Sequence, residues 1–491
     1  MEKHLLSKSS VLSGIQCLKM LYLHKYFPDL MDEVSESQQK IFDAGKSVGI
    51  LAQNLFPGGI NASPDEKRNI EKDLCFTEEL RNKDTQVIYE AAFQYNQVLV
   101  YADIIVKEGD QWSIYEVKSS TSVSETNEFD AAVQYWVISN CGINIKDISI
   151  VHINNEYIRL GDLDVHQLFK PVSVKDKALS LQSYITDTIN LQKGILSKSE
   201  IPDMQIGPHC SNPYKCGFMG NCWQHIPEYS VFDIAGLRDN KKYQLYLDGI
   251  INIEDIPCDF PLSKAQQIQV HAHKSGESII DKAGIKNFLS QVSYPAYFMD
   301  FETFNPAVPL FDNSRPYQTI PFQYSLHVKK TKESEPEHFE FLADASGDPR
   351  KRFIEKLLND TEKEGCIIVY NKAFEGRILS ELAQSFPEYK LQIEERLDRL
   401  VDLMIPFREK LYYTPEMKGS YSIKKVLPAL IPSMSYDGME IGEGQAASNA
   451  FEYLFHETNP EIIAGIRRNL LDYCKLDTLA TVKILEILEN N

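Results

Sequence analysis

The sequence predicts an α/β protein with two domains, each built around a β-sheet. In both halves of the chain, short runs rich in β-branched and aromatic residues alternate with stretches of helical periodicity. A turn-prone stretch at 207–225 separates the halves, and 491 residues are enough for two or three domains that each bury a core. We therefore expect domains at 1–230 and 291–491, joined by a helical connector at 231–290.

The first domain is expected to open with helices and to continue with a sheet. Apolar residues recur at helical spacing over residues 6–55. Strand-like runs follow between residues 87 and 117, with the sequences VIYEAAF, VLVYADIIV and WSIYEV. Helical periodicity returns at 129–140 and 175–198, and a further strand candidate, ISIVHIN, lies between these helices.

The second domain is expected to begin with the strand YFMDFETF at Tyr297. The strand candidates FQYSLHV and FEFLA follow, then a helix near 350–363, a buried strand CIIVYN, a helix from about Glu375, and a terminal helix from about Pro460 to Glu489. The connector contains LDGIINIEDIP, which has some character of a phosphate-binding helical hairpin. We interpret it as an ordinary turn between helices and assign no site there.

Composition and charge exclude several classes of protein. The chain has 51 basic and 70 acidic side chains, a formal charge of −19, which argues against a protein that coats nucleic acid by bulk attraction. Nine cysteines, with no hydrophobic leader after Met1, predict free thiols in a reducing cytoplasm. No apolar run approaches the roughly 18 residues needed to span a bilayer, so we expect no membrane association.

Three residues on two predicted strands form the first candidate catalytic site. Asp103 lies in YADIIV, and Glu116 and Lys118 lie in IYEVKSS, where alternate residues of a strand share one face. Two carboxylates can hold Mg²⁺ or Mn²⁺, and a lysine beside them can orient a water molecule against a phosphodiester. Glu90, on the preceding strand, is either an additional metal ligand or a solvated strand residue.

The order of these residues resembles that of a nuclease family. Asp103, then Glu116-x-Lys118, then a helix carrying Gln134 and Tyr135 is similar to the RecB-type branch of the PD-(D/E)XK nucleases. The resemblance implies a restriction-endonuclease-like domain in which Gln134 contributes to catalysis. The sequence departs from the pattern of this nuclease family at one position. Gly49 follows Gly45-Lys46-Ser47-Val48, where relatives often carry a metal-binding histidine.

Four cysteines are expected to bind one metal group: Cys17, Cys210, Cys216 and Cys222. Three of them form C-x5-C-x5-C in the turn-prone stretch, a spacing that matches neither zinc-ribbon knuckles nor ferredoxin runs. The residues alone leave Zn²⁺ and a [4Fe–4S] cluster open, and His209 and His225 are alternative zinc ligands. One cysteine before the nuclease core and three after it resembles the iron–sulfur nucleases of the CRISPR-adaptation and AddB type. That resemblance implies a structural [4Fe–4S] cluster.

The second candidate site combines residues far apart in the chain. Asp300 and Glu302 share one face of a strand whose aromatic neighbours predict burial, where unpaired carboxylates are costly without a metal. Tyr473 and Asp477 are four residues apart on the terminal helix and therefore share a face. The tyrosine can position a water molecule while Asp477 completes a metal site.

A central acidic residue completes the resemblance to a second nuclease family. The segment IIVYNKAFEGRIL places Glu375 at a helix start, and Asp402 is the fallback for this position. Asp-x-Glu, a central N-x-x-F-acid segment and a terminal Y-x-x-x-D resemble the DEDD 3′→5′ exonucleases of the RNase H-like fold. The stretch YSIKKVLPAL at 421–430 also looks like one common in that family. The resemblance implies that the four carboxylates hold Mg²⁺ or Mn²⁺.

The whole chain resembles a bacterial fusion family that pairs a RecB-like iron–sulfur nuclease domain with a C-terminal domain of unknown function, catalogued as DUF2779. This implies a metal-dependent deoxyribonuclease that trims single-stranded DNA or 3′ overhangs in repair, defence or CRISPR spacer processing, with CRISPR-adaptation or repair proteins as partners. Two alternatives stay open. One is an RNA exonuclease, and the other is a nucleic-acid-binding scaffold with an inactive N-terminal site.

Overall fold

The computed structural model describes residues 5–65 and 68–490 and divides the chain into two units. Unit 1 holds residues 1–225 and 307–317, and unit 2 holds residues 226–306 and 318–491. Both units mix strands and helices, so the α/β class predicted from the sequence is confirmed. The structure groups residues 231–290 with unit 2, whereas the sequence predicts a separate connector there.

Unit 1 contains one sheet and nine α-helices among its described residues. Its strands are β1 (Leu6–Ser7), β2 (Ile60–Asn61), β3 (Val87–Tyr95), β4 (Val98–Glu108), β5 (Gln111–Lys118), β6 (Ile145–Ile153) and β7 (Phe169–Ser173). Its helices are α1 (Lys8–Gln16), α2 (Leu18–Tyr26), α3 (Glu36–Ala52), α4 (Ile70–Asn82), α5 (Glu125–Asn140), α6 (Val165–Leu168), α7 (Lys175–Ser180), α8 (Gln182–Leu196) and α9 (Met219–Cys222).

The sheet of unit 1 is arranged around a three-stranded antiparallel meander. The strand order is β2-β3-β4-β5-β6-β7, and β1 pairs with β4 in parallel. The chain leaves β5, crosses through α5 and returns as β6, parallel to β5. Helix α5 begins four residues before the predicted position because Ser124 and Asn127 form a reciprocal capping box at its N-terminus. Its buried Ala131, Val133 and Val137 pack in the main core of this unit.

Unit 2 contains a five-stranded sheet, a two-stranded sheet and ten α-helices among its described residues. Its strands are β8 (Ile279–Ile280), β9 (Ala296–Phe304), β10 (Ile320–Lys329), β11 (Glu337–Leu342), β12 (Cys366–Val369), β13 (Leu400–Asp402) and β14 (Tyr412–Tyr413). Its helices are α10 (Asp239–Leu247), α11 (Lys264–Ser275), α12 (Lys282–Leu289), α13 (Arg350–Asp360), α14 (Lys372–Ser385), α15 (Lys390–Asp398), α16 (Ile405–Arg408), α17 (Ile423–Leu430), α18 (Gly444–Tyr453) and α19 (Pro460–Glu489). No described helix is long and apolar enough to cross a membrane.

The larger sheet of unit 2 has cores on both faces. Its order is β11-β10-β9-β12-β13, with β9 antiparallel to β10 and parallel to β12. Along β9, Tyr297, Met299 and Phe301 pack into the core that includes α13 and α14, while Phe298 packs into the core that includes α19. Because side chains alternate along a strand, the acidic side chains at even positions face the α19 side.

Candidate active sites and cysteine cluster

The first candidate site lies in unit 1, where β4 and β5 pair. Their antiparallel register pairs Ile104 with Tyr115, and Asp103 and Glu116 are the next residues along the two strands. The backbone N–H of Val117 donates a hydrogen bond of 2.7 Å to Asp103 Oδ2. Lys118, two residues after Glu116, shares the face of that carboxylate. The structure therefore brings together the three residues that the sequence singles out.

Two helices add charged and polar side chains to this site. Lys118 Nζ donates hydrogen bonds of 2.6 Å to both Glu116 Oε1 and Asp130 Oδ2. Gln134 Nε2 donates to Glu116 Oε2 at 2.6 Å and to Asp130 Oδ1 at 3.1 Å. Lys8 Nζ, at the start of α1, donates to Glu116 Oε1 at 2.6 Å and lies 3.0 Å from Asp130 Oδ1. Gln134 thus lies in the site, as the sequence resemblance implies.

Sequence reasoning missed Lys8 and Asp130. A local signal existed for Asp130, because it lies four residues before Gln134 on α5 and residues at this spacing share a helix face. No local signal existed for Lys8, which reaches the carboxylates across 108 residues of chain.

Burial and charge together set the electrostatics of the first site. Burial, reinforced by the neighbouring Glu116, raises the pKa of Asp103 to about 8 although Lys8 and Lys118 act against this rise. Burial by itself lowers the pKa of Lys118, but Glu116 and Asp130 outweigh it, so the pKa of this lysine lies well above 10.5. Lys118 is therefore an ammonium ion, suited to holding a water molecule or a phosphate rather than to abstracting a proton.

Glu90 lies beside the site in an unusual backbone conformation. The register of β3 against β4 pairs Tyr89 with Ile104 and Ala91 with Ala102, so Glu90 and Asp103 lie between these two pairs. The φ of Glu90, 52°, is in the left-handed region. Its carboxylate forms an ion pair of 2.7 Å with Arg68. Glu90 is thus close enough to Asp103 to raise the pKa of that residue, but its Oε2 contacts a guanidinium.

The four cysteines of the predicted cluster line one cavity of unit 1, namely Cys17, Cys210, Cys216 and Cys222. Cys17 lies between α1 and α2, and the other three come from the turn-rich stretch. His209 also lines this cavity, together with the apolar Met20, Leu23 and Phe218. Burial raises the pKa of Cys216 to about 11, so this thiol needs a bound cation to ionise at neutral pH. The cavity thus brings the four predicted cysteines together in apolar surroundings, and both groups expected from the sequence take thiolate ligands.

The second candidate site is a cleft of about 480 Å³ in unit 2. All five residues predicted for it line the cleft: Asp300 and Glu302 from β9, Glu375 from α14, and Tyr473 and Asp477 from α19. Ligand atoms of Asp300, Glu302 and Cys474 lie within 4.8 Å of one another. Helix α14 begins at Lys372, three residues before the predicted start, which places Glu375 in its first turn. Asp402, the fallback for Glu375, is not among the lining residues.

Lys424 and Tyr436 also belong to the second site, although the sequence did not identify them. The Tyr436 hydroxyl donates a hydrogen bond to Asp477 Oδ1. Lys424 Nζ lies 5.6 Å from the ring centre of Tyr436 and 5.5 Å from that of Tyr473, and it lowers the pKa of Asp477. Lys424 falls within the stretch YSIKKVLPAL, so a positional signal for it was present in the sequence.

The pKa of each of the four acids in this cleft is raised. Burial is the largest cause for all of them, and it brings the pKa of Glu375 to about 8 and that of Asp477 to about 6. The pKa of Asp300 is raised further by its acidic neighbours Asp477 and Glu302. Glu375 Oε2 is buried and has no hydrogen-bond partner among the described residues. A divalent cation would offset the negative charge of these carboxylates and would take that oxygen as a ligand, so the residues fit Mg²⁺ or Mn²⁺.

We expect the metal-free protein to lose stability as the pH rises from about 4.5 to about 8. The folded-state pKa of Glu375 is raised above its ordinary 4.5, so its contribution is complete below pH 4.5 and is lost as the pH passes through 8. With EDTA present, the melting temperature of the wild type should therefore fall over this range by several degrees more than that of Glu375→Gln. Mg²⁺ should remove most of this difference at pH 8. Parallel pH profiles of the two proteins would contradict the expectation.

Comparison with known proteins places a recognised domain over part of the second site. The family described as "Domain of unknown function (DUF2779)" matches residues 297–422, so the chain carries this domain in its C-terminal region. An uncharacterized protein of Ureaplasma parvum serovar 3, UU173, is 29% identical over 294 residues, which cover 53% of this chain and 41% of the relative. Another from Mycoplasma genitalium, MG366, is 25% identical over 224 residues, which cover 42% of this chain and 33% of the relative. The chain thus spans less than half the length of these relatives.

Proposed function

We propose that this chain is a metal-dependent nuclease that hydrolyses phosphodiester bonds of DNA. The second site acts as a 3′→5′ exonuclease, and the first acts as a RecB-like nuclease on the same class of substrate. One observation carries the proposal: four carboxylates with raised pKa values, three of them buried and that of Asp300 partly buried, converge with Tyr473 in one open cleft. One carboxylate oxygen, Glu375 Oε2, has no hydrogen-bond partner among the described residues. Such an arrangement is costly to a folded protein unless cations occupy it.

In the second site, Asp300, Glu302, Glu375 and Asp477 would hold Mg²⁺ or Mn²⁺. When bound, these cations polarise the phosphate and lower the pKa of a water nucleophile. Tyr473 lies beside Asp477 and lowers the pKa of that carboxyl through a hydrogen bond, so its hydroxyl is placed to orient a water molecule. The ammonium group of Lys424 supplies positive charge on the same side of the cleft, where a phosphate would carry negative charge.

In the first site, Asp103 and Glu116 would hold the cation and Lys118 would orient the water molecule. Glu90 is an additional ligand only if it releases Arg68, because the two form an ion pair. The strand orders of the two sheets support a restriction-endonuclease-like fold for unit 1 and an RNase H-like fold for unit 2. The cysteine cavity would hold a structural [4Fe–4S] cluster, with Zn²⁺ as the alternative.

We propose single-stranded DNA or 3′ overhangs as substrates, in the cytoplasm and in a repair, defence or spacer-processing setting. All nine cysteines are unpaired, which supports a reducing compartment. The test is digestion of 5′-labelled DNA and RNA strands of one sequence with Mg²⁺ or Mn²⁺. Progressive 3′ shortening of DNA supports the proposal, shortening of RNA alone favours an RNA exonuclease, and binding without cleavage favours a scaffold.

Lys118→Met tests the first site in a protein whose second site is inactivated by Asp300→Ala. We expect metal-dependent cleavage by this protein to fall by about 10²-fold or more, because the water molecule and the phosphate lose their positive partner. The matched control is Lys170→Met, which removes an exposed lysine of β7 in the same unit. Equal cleavage by both variants would show that the first site is not a nuclease.

A further inference from the structure

Two acids and two lysines form a closed ring in the first site. Each ammonium group contacts both carboxylates: Lys8 and Lys118 each reach Glu116 Oε1 at 2.6 Å, and they contact the two different oxygens of Asp130 at 3.0 and 2.6 Å. Gln134 Nε2 bridges the same two acids from α5. Glu116 and Asp130 are both buried, with side chains 3% and 6% exposed, whereas the lysines are 22% and 24% exposed. The ammonium groups therefore form the accessible side of the ring.

This ring competes with metal binding by Glu116. Both lysines donate to Oε1 of Glu116 and Gln134 donates to Oε2, so three of its roughly four lone-pair sites are used and a cation held by both oxygens would displace at least one donor. Asp130 lies four residues before Gln134 on α5, and both of its oxygens already contact an ammonium group. Asp130 can thus retain the lysines when Glu116 turns an oxygen to a cation.

The secondary structure around Lys8 fixes the position of this residue. Strand β1 pairs with β4 through Leu6 and Val98, and helix α1 begins at Lys8 with Ser7 as its N-cap. The position of the Lys8 backbone is thereby fixed relative to the strand that carries Asp103. A long, flexible lysine with no such support would contribute little to an ion pair.

We propose that Asp130 and Lys8 are positioning residues of the first site, in which Asp130 holds the ammonium groups of Lys8 and Lys118 toward the substrate phosphate while Glu116 binds the metal. With a cation bound, Asp103 is ionised, and Asp103, Glu116 and Asp130 then carry three negative charges against the two positive charges of the lysines. One divalent cation therefore leaves a net charge of +1 to meet a phosphodiester, and Lys8 supplies charge that a second cation would otherwise provide. This inference rests on the proposed nuclease function of the first site.

The test uses the full-length protein with Asp300→Ala, so that only the first site can cleave. Asp130→Asn and Lys8→Met should each lower kcat on single-stranded DNA by about 10- to 100-fold, as expected for residues that orient catalytic groups. Lys8→Arg should recover part of this loss because it keeps the charge. The controls are Glu128→Gln, a partly exposed acid on the same helix, and Lys40→Met, an exposed lysine of α3.

Mn²⁺ binding, measured by electron paramagnetic resonance, separates a positioning role from the alternatives. Lys8→Met should bind Mn²⁺ at least as tightly as its parent protein, because an ammonium group that competes for Glu116 is gone. If Lys8 had only a structural role, its loss would weaken both Mn²⁺ binding and cleavage. Complete loss of Mn²⁺ binding in Asp130→Asn would make Asp130 a ligand and overturn the proposal. Unchanged kcat in Lys8→Met would also overturn it, while a loss in Lys118→Met would leave the nuclease function standing. If Lys118→Met left kcat unchanged, both the nuclease function proposed for the first site and the positioning role of Asp130 and Lys8 would be wrong.

Discussion

Asp300→Ala should abolish 3′-end shortening of single-stranded DNA by the second site, with a loss on the order of 10³-fold or more. Asp300 lies in the cleft with its carboxylate near Glu302 and Cys474, and its pKa is raised by burial and then by Asp477 and Glu302. Binding of a cation is the arrangement that offsets these repulsions, so removing one ligand should empty the site of its metal. The measurement is gel analysis of 5′-labelled oligonucleotide with Mg²⁺, in a background where Lys118→Met removes the first site.

The same substitution should raise the melting temperature of the metal-free protein. Alanine removes one of several crowded carboxylates, so the variant should be more stable in EDTA than the wild type even though it is inactive. This combination distinguishes loss of catalysis from misfolding. Asp472→Asn is the matched control, because Asp472 is an exposed acid on α19 one residue before Tyr473. Retained exonuclease activity in Asp300→Ala would exclude the second site as its source.

Cys216→Ser should remove the metal group from unit 1 and lower the melting temperature by on the order of 10 °C. Cys216 is 8% exposed in an apolar cavity beside Met20, Leu23 and Phe218, and the bound group would join the helical start of unit 1 to the turn-rich stretch. Without it, the turn-rich stretch, which is rich in Gly, Pro and Asn, has little regular secondary structure to hold it in place. Differential scanning calorimetry and metal analysis of anaerobically purified protein provide the two readouts.

The colour and metal content of the wild type then decide which group is present. A brown protein with about four iron atoms per chain identifies the [4Fe–4S] cluster, and a colourless protein with one zinc identifies Zn²⁺. Cys258→Ser is the control, since Cys258 is exposed and lies outside the cavity. A wild type that carries neither metal, together with unchanged melting of Cys216→Ser, would show that the four thiols are free.

Local spacing allowed much of the two sites to be found from the sequence. Asp300 and Glu302 are two residues apart on a strand, and Tyr473 and Asp477 are four apart on a helix, so each pair must share a face. The terminal helix also has the bounds predicted for it, with Pro460 in its first turn and Asn459 as its N-cap. Such pairs can be predicted from the sequence because the periodicity of a strand or helix fixes the direction of each side chain, whatever the rest of the fold.

The sequence by itself therefore determined the α/β class and the strand and helix faces on which the acidic residues lie. Tertiary structure alone decided which distant groups complete each site: Lys8 and Asp130 on one carboxylate, and Tyr436 beside Asp477. It also decided that residues 307–317, between two strands of unit 2, belong to unit 1. The physical reason is that local periodicity sets the direction of a side chain, whereas the partner it meets depends on how elements from distant parts of the chain pack together.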